Sequence, residues 1–135
     1  MIQRKQTVHL FIGAVALSVV VFYCQHLLVE GLGWLDEAMA VLAGITALGA
    51  LYTISMYRVR EKQLSAAKLV LLAGLLVAGG VIGGVGMMGL LPTIADHQSL
   101  MIPTALSASS VILFALAIRG ISKDIKTVRS MDHLR

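Results

Sequence analysis

Four histidines, one cysteine and seven carboxylates are the groups with which this 135-residue chain could do chemistry, and their spacing limits what each can do. His9 and His26 lie seventeen residues apart, about 25 Å along a helix, too far to share one metal or one haem. They read as interfacial side chains. Asp96 beside His97 has the composition of a proton-handling pair, but adjacent loop residues do not face a common point and no third member stands near them. Cys24, being single, can form neither an internal disulfide nor a Cys-X-X-Cys pair, which excludes four-helix membrane thiol oxidoreductases. Asp36 and Glu37 stand before an apolar run, where Asp36 suits a helix N-cap and Glu37 the positive end of the helix dipole. Glu61 sits among Arg58, Arg60 and Lys62, as one partner of a surface ion pair. For haem or quinone the one arrangement left is His26 with His97 at the outer side, a minor alternative. The expectation is therefore no enzyme, no catalytic residue, no metal ligand and no cofactor.

The elements that hold these residues are set by composition. With 58% hydrophobic residues, 13% charged residues and a mean hydropathy of +0.88, the chain is too apolar for a water-soluble domain. Apolar stretches run over about 8–28, 38–57, 69–91 and 100–118, each close to the roughly 20 residues that cross hydrocarbon. This spacing predicts an all-α fold: a polytopic membrane four-helix bundle in one domain, 1–135. Residues 1–28 have a basic start and an apolar run like a signal peptide, but the run is long and lacks a small-x-small cleavage site, so the first span reads as retained.

Basic residues set the orientation. All eleven fall at Arg4 and Lys5, at 58–68 and at 119–135, while loops 29–37 and 92–99 contain none. The positive-inside rule then places both termini and the middle connection in the cytoplasm, in an inner or plasma membrane. Trp34, Phe22, Tyr23, Tyr52 and Tyr57 fall where interfacial anchors are expected. Nucleic acid is not expected as a partner, because no aromatics are interleaved with the basic residues.

The third stretch holds seven of the thirteen glycines. In water each would cost a helix roughly 1 kcal/mol against alanine, whereas in lipid the backbone stays helical and glycine lets backbones approach. At 100° per residue Gly79, Gly83 and Gly86 form one stripe with Gly80 and Gly84 beside it. These five are the expected helix-packing residues, with Ala78, Val81, Ile82 and Val85 toward lipid. The second stretch has small residues at Ala40, Ala43, Gly44, Ala47, Gly49 and Ala50 and is the expected neighbour of the third. In the fourth, Pro103 falls in or near the first turn, and Thr104, Ser107, Ser109 and Ser110 are expected to serve packing rather than a solute path.

Beyond Ile118, Ile121, Ile125, Val128, Met131 and Leu134 recur at helical spacing among basic residues. This predicts an amphipathic cytoplasmic C-terminal helix over 119–135, hinged at Gly120, lying on the anionic leaflet or docking on a protein. Its expected interaction residues are Ile121, Lys123, Ile125, Val128 and Arg129.

Gln3, Arg4, Gln6 and Thr7 at the start, with Arg119, Ile121, Lys123, Asp124, Val128, Arg129, Ser130, Asp132, Leu134 and Arg135 at the end, resemble an uncharacterised family of small four-pass bacterial inner-membrane proteins, domain of unknown function 4293. Ser122, Ile125 and His133 depart from its pattern. The resemblance implies topology and a bacterial inner membrane, and it supplies no activity. The function expected is that of a noncatalytic accessory, assembly or scaffold subunit acting through helix packing and its tail. Its partners are the lipid bilayer and either another membrane protein or further copies of itself. The alternative is a small oligomeric transporter or channel, against which stands the lack of any Asp, Glu, Lys or Arg in mid-span.

Overall fold

The computed structural model describes residues 2–27, 34–87 and 98–132. Among these the chain is helical except at 56–59, in four helices: α1 (Ile2–Leu27), α2 (Trp34–Ser55), α3 (Arg60–Met87) and α4 (Gln98–Asp132). The fold is all-α, as the composition requires, and each helix is long and apolar enough to cross a membrane.

The helices overrun the apolar stretches at both ends of the bundle. α1 begins at Ile2 rather than Gln6 or Thr7, and α2 begins at Trp34, which puts Asp36 inside its first turn instead of at the cap. The polar connection expected over 58–68 shrinks to four residues, closed by the Met56 amide donating to the Thr53 carbonyl and the Val59 amide donating to the Met56 carbonyl. Hydropathy marks where lipid contact stops. A helix stops only where its backbone bonds find another solution, and here they do not until the turn. Pro92, Asp96 and His97 lie outside the described residues.

α4 is the largest correction. Its 35 residues, about 52 Å at 1.5 Å per residue, form one helix in which the expected span and the expected tail are continuous. Gly120 is no hinge. A Cβ there would lie 2.7 Å from Cγ of Gln6, so the glycine is the place where α1 presses on α4. Pro103 falls just past the first turn, near the helix start as expected, and is fully buried; it removes one backbone bond there.

Each helix packs on its sequence neighbours, and α1 closes the ring on α4 through the most extensive of the four interfaces. α2 and α3 do adjoin, as expected. Residue pairs give the directions: Gly13 and Gln6 of α1 meet Phe114 and Gly120 of α4, Gly49 of α2 meets Val70 of α3, and Gly74 of α3 meets Phe114 and Val111 of α4. Gly13 meets Phe114 while Gln6 meets Gly120, Gly49 meets Val70 while Met39 meets Gly80, and Gly74 meets Phe114 while Glu61 meets Arg129; the number falls along one helix as it rises along the other, so these neighbours run antiparallel. The same register brings Lys5, Tyr52, Lys68 and Arg119, all exposed, to within about one turn of a common level. Below that level the outer surface is apolar, with Phe11, Val15, Leu48, Leu69, Leu72 and Leu116 all exposed.

Phe114 is the centre of the core. It is fully buried, and its ring fills two notches, one on each flanking helix. A Cβ at Gly13 would stand 2.5 Å from Cε1, and one at Gly74 would stand 3.2 Å from Cδ2 on the other ring edge. Leu10 and Leu17 of α1, Val77 of α3 and Ala117 of α4 complete the layers around it, with the alanines of α2 (Ala40, Ala43, Ala47 and Ala50) packed thinly against them.

Candidate functional site

Of the five glycines expected to pack, two do so inside the bundle. Gly84 is buried, and a Cβ at Gly80 would overlap the Met39 thioether of α2. Gly79 and Gly83 are exposed, with nothing within 4 Å of where a Cβ would be. The surroundings of Val85 and Gly86 lie outside the described set. Beyond Val70 the described residues of α3 turned inward are Gly74, Val77, Ala78, Val81 and Gly84, so Ala78 and Val81, expected toward lipid, are in the core. The reason is physical. Interhelical attraction in a bilayer is largely dispersion, and a face of valine and alanine offers atoms that a glycine face lacks.

Three serine hydroxyls in the apolar part of α4 are satisfied within their own helix. Ser107 donates to the Thr104 carbonyl, Ser109 to Leu106 and Ser110 to Ser107, at 2.7–3.0 Å. Ser107 and Ser110 are fully buried, which places them in packing as expected.

The polar chemistry of the molecule collects instead at the basic end, where α4 runs past the level of Arg119 beside the first turns of α3. Ile121 is buried in the bundle, so this first residue of the expected interaction stripe faces α1 and α3 rather than an outside surface. One turn on, Asp124 Oδ2 lies 3.3 Å from Arg60 Nη1, a half-covered pair. Beyond it, Arg129 Nη2 donates to Glu61 Oε1 at 2.8 Å, with both side chains largely exposed. Glu61 therefore pairs across to α4 and not with Lys62. Exposed pairs of this type contribute ~0–1 kcal/mol, so they fix register more than they stabilise. On the inner side, the buried Gln63 amide donates to the Thr53 carbonyl at 3.3 Å, tying α3 to the end of α2.

Two buried donors stand out. Gln6 is 3% exposed, and its Nε2 meets no hydrogen-bond acceptor among the described residues; Arg60 Nη1 is likewise buried and reaches Asp124 as a charge, without hydrogen-bond alignment. Gln6, Arg60, Gln63 and Asp124 make this end a polar knot joining all four helices. Sequence reading named Gln6, Arg60 and Asp124 without giving any of them this role, and did not single out Gln63. The available signal was two acids, Glu61 and Asp124, set singly in otherwise basic segments, where each has cations within reach on a neighbouring helix. Lys123 remains exposed, while Ile125 and Val128 are half-covered. Among the described residues no three His, Cys, Asp or Glu side chains come together as metal ligands.

The family model for a domain of unknown function, DUF4293, matches residues 35–134, well over half the chain. The chain belongs to the DUF4293 family. The DUF4293 match takes in α2, α3 and the whole of α4, including the stretch from Arg119 to Leu134 that carries the sequence resemblance, whereas Gln3, Arg4, Gln6 and Thr7 precede it. No curated protein and no solved structure matches the chain.

Proposed function

We propose that this protein is a noncatalytic accessory, assembly or scaffold subunit of a bacterial inner membrane, with its basic end in the cytoplasm. The observation that carries the reading is the α4 extension. Residues 120–129 are held against α3 and α1 by buried Ile121, by the Arg60–Asp124 and Glu61–Arg129 pairs and by the Gly120–Gln6 contact. Such a fixed extension presents Lys123, Lys126 and Met131 on an exposed face beyond the apolar belt, at constant orientation. A partner meeting it there does not have to order it, which removes an entropic cost from association. Both termini fall on the basic side, where the positive-inside rule favours the cytoplasm.

The test is recovery of tagged full-length protein from its own membranes in mild detergent, with mass spectrometry and an absorption spectrum. A stoichiometric membrane-protein partner, reduced by Lys123→Glu with Met131→Asp, supports the subunit reading. Recovery of the protein alone, with solute flux in proteoliposomes, overturns it in favour of a transporter or channel, and a Soret band overturns it in favour of a haem subunit.

A further inference from the structure

Between the first turns of α3 and the last turns of α4 lies an open groove of about 330 Å³, lined by Glu61, Leu64 and Ser65 on one side and Ser122, Ile125, Lys126 and Arg129 on the other. Its depth relative to the apolar belt is given by the helix rise. Ser122 stands about 5 Å and Lys126 about 10 Å beyond Arg119, where the belt ends, and the headgroup zone is about 5–7 Å thick on each side of the hydrocarbon. A lysine stem reaches several ångströms back toward that zone. The groove therefore has its Ser122 end at headgroup depth and opens sideways on the side of α3 that carries exposed Leu69 and Leu72, along which an acyl chain can lie.

Its chemistry suits a phosphate. The Glu61 carboxylate is taken up by Arg129 at 2.8 Å, so the charge left over in the groove is the ammonium of exposed Lys126. Ser122 adds a hydroxyl from the α4 wall, the Ser65 hydroxyl opposite it donates to the Glu61 carbonyl at 3.2 Å, and Leu64 and Ile125 give an apolar floor for the glycerol end of a lipid. We infer that this groove is a headgroup site for one anionic phospholipid of the surrounding leaflet, its phosphate held by Lys126 with the Ser122 hydroxyl beside it. The site needs only that the basic end meet a leaflet, so it stands whether or not the protein is an accessory subunit.

The experiment uses the full chain in detergent with added phosphatidylglycerol or phosphatidylcholine, and native mass spectrometry counts the lipids retained. Three proteins are compared: wild type, Lys126→Glu, and Lys123→Glu, which makes the same charge change at an exposed position outside the groove. The expected result is one phosphatidylglycerol retained preferentially by wild type and by Lys123→Glu, with at least a fivefold loss in Lys126→Glu. Unchanged circular dichroism and elution volume show that the variant is folded, and Ser122→Val, which keeps every charge, gives a smaller loss in the same direction. Equal losses in the two lysine variants would mean general attraction to the leaflet and would overturn the site. So would equal retention of phosphatidylcholine, or displacement of the lipid by millimolar inorganic phosphate, which would make the ligand a free anion.

Discussion

Gly13 and Gly74 on one side, and Gly79 and Gly83 on the other, are the same residue put to opposite uses. The first pair encloses the ring of Phe114, each facing one edge of it, and neither position has room for a methyl group without displacing the ring. The second pair sits in the richest glycine run of the chain, G-G-V-I-G-G, and looks out of the bundle into open space. A density of glycines, then, does not locate a helix contact. What locates it is the large side chain that has to be accommodated, and Phe114 is one of only three phenylalanines in the sequence.

The strongest way to break this contrast is Phe114→Ala, which removes the knob and leaves both notches empty. The loss expected is about 2–3 kcal/mol, below the 3–5 usual for water-soluble cores, because the reference state in a bilayer is also apolar and chiefly dispersion is forfeited. Unfolding in mixed micelles by titration with a denaturing detergent measures it; a change under about 0.5 kcal/mol would remove Phe114 from the centre of the fold. Next in size is Gly13→Ala, expected to destabilise by about 1–3 kcal/mol through overpacking, since Gly74 behind the ring leaves it nowhere to move. Combining Gly13→Ala with Phe114→Leu should recover part of that loss in the same titration, and strict additivity of the two would show that they do not touch. The smallest effect belongs to Gly83→Ala, expected within about 0.5 kcal/mol of wild type in the isolated protein, with open space around the new methyl group and a better helix former in place of glycine. A loss as large as that of Gly13→Ala would mean that this face is covered by something in the micelle, most simply a second copy.

How much of this was legible in the sequence differs by region. Four spans, all-helical structure and a basic end followed from hydropathy and the placement of lysine and arginine, because lipid and charge act on each segment separately. The inward face of α3 did not follow, since Val77, Ala78 and Val81 are as acceptable to lipid as to protein, and hydrophobic periodicity falls silent when both surroundings are apolar. The polar knot was visible only in part. Asp124 and Glu61 are exceptional where they stand, but that Arg60 answers one and Arg129 the other depends on the register of α3 against α4. Continuity of α4 through Gly120 likewise rests on Gln6 from the opposite end of the sequence, a contact that no local pattern contains.

The closure of the ring by α1 on α4 has a consequence for the order in which the molecule assembles. Spans enter the membrane in chain order, and α2 and α3, joined by four residues, can form their hairpin as soon as both have been inserted. α1 cannot complete its burial then. Leu10 and Leu17, fully buried in the finished bundle, and the Gly13 notch wait for Phe114, some hundred residues later, and buried Gln6 waits for Gly120. Loop closure over so long a separation is slow compared with forming a hairpin. Until α4 docks, that flank of α1 has no protein partner, and docking of α4 is the step that both seats Phe114 and brings Asp124 and Arg129 within reach of Arg60 and Glu61.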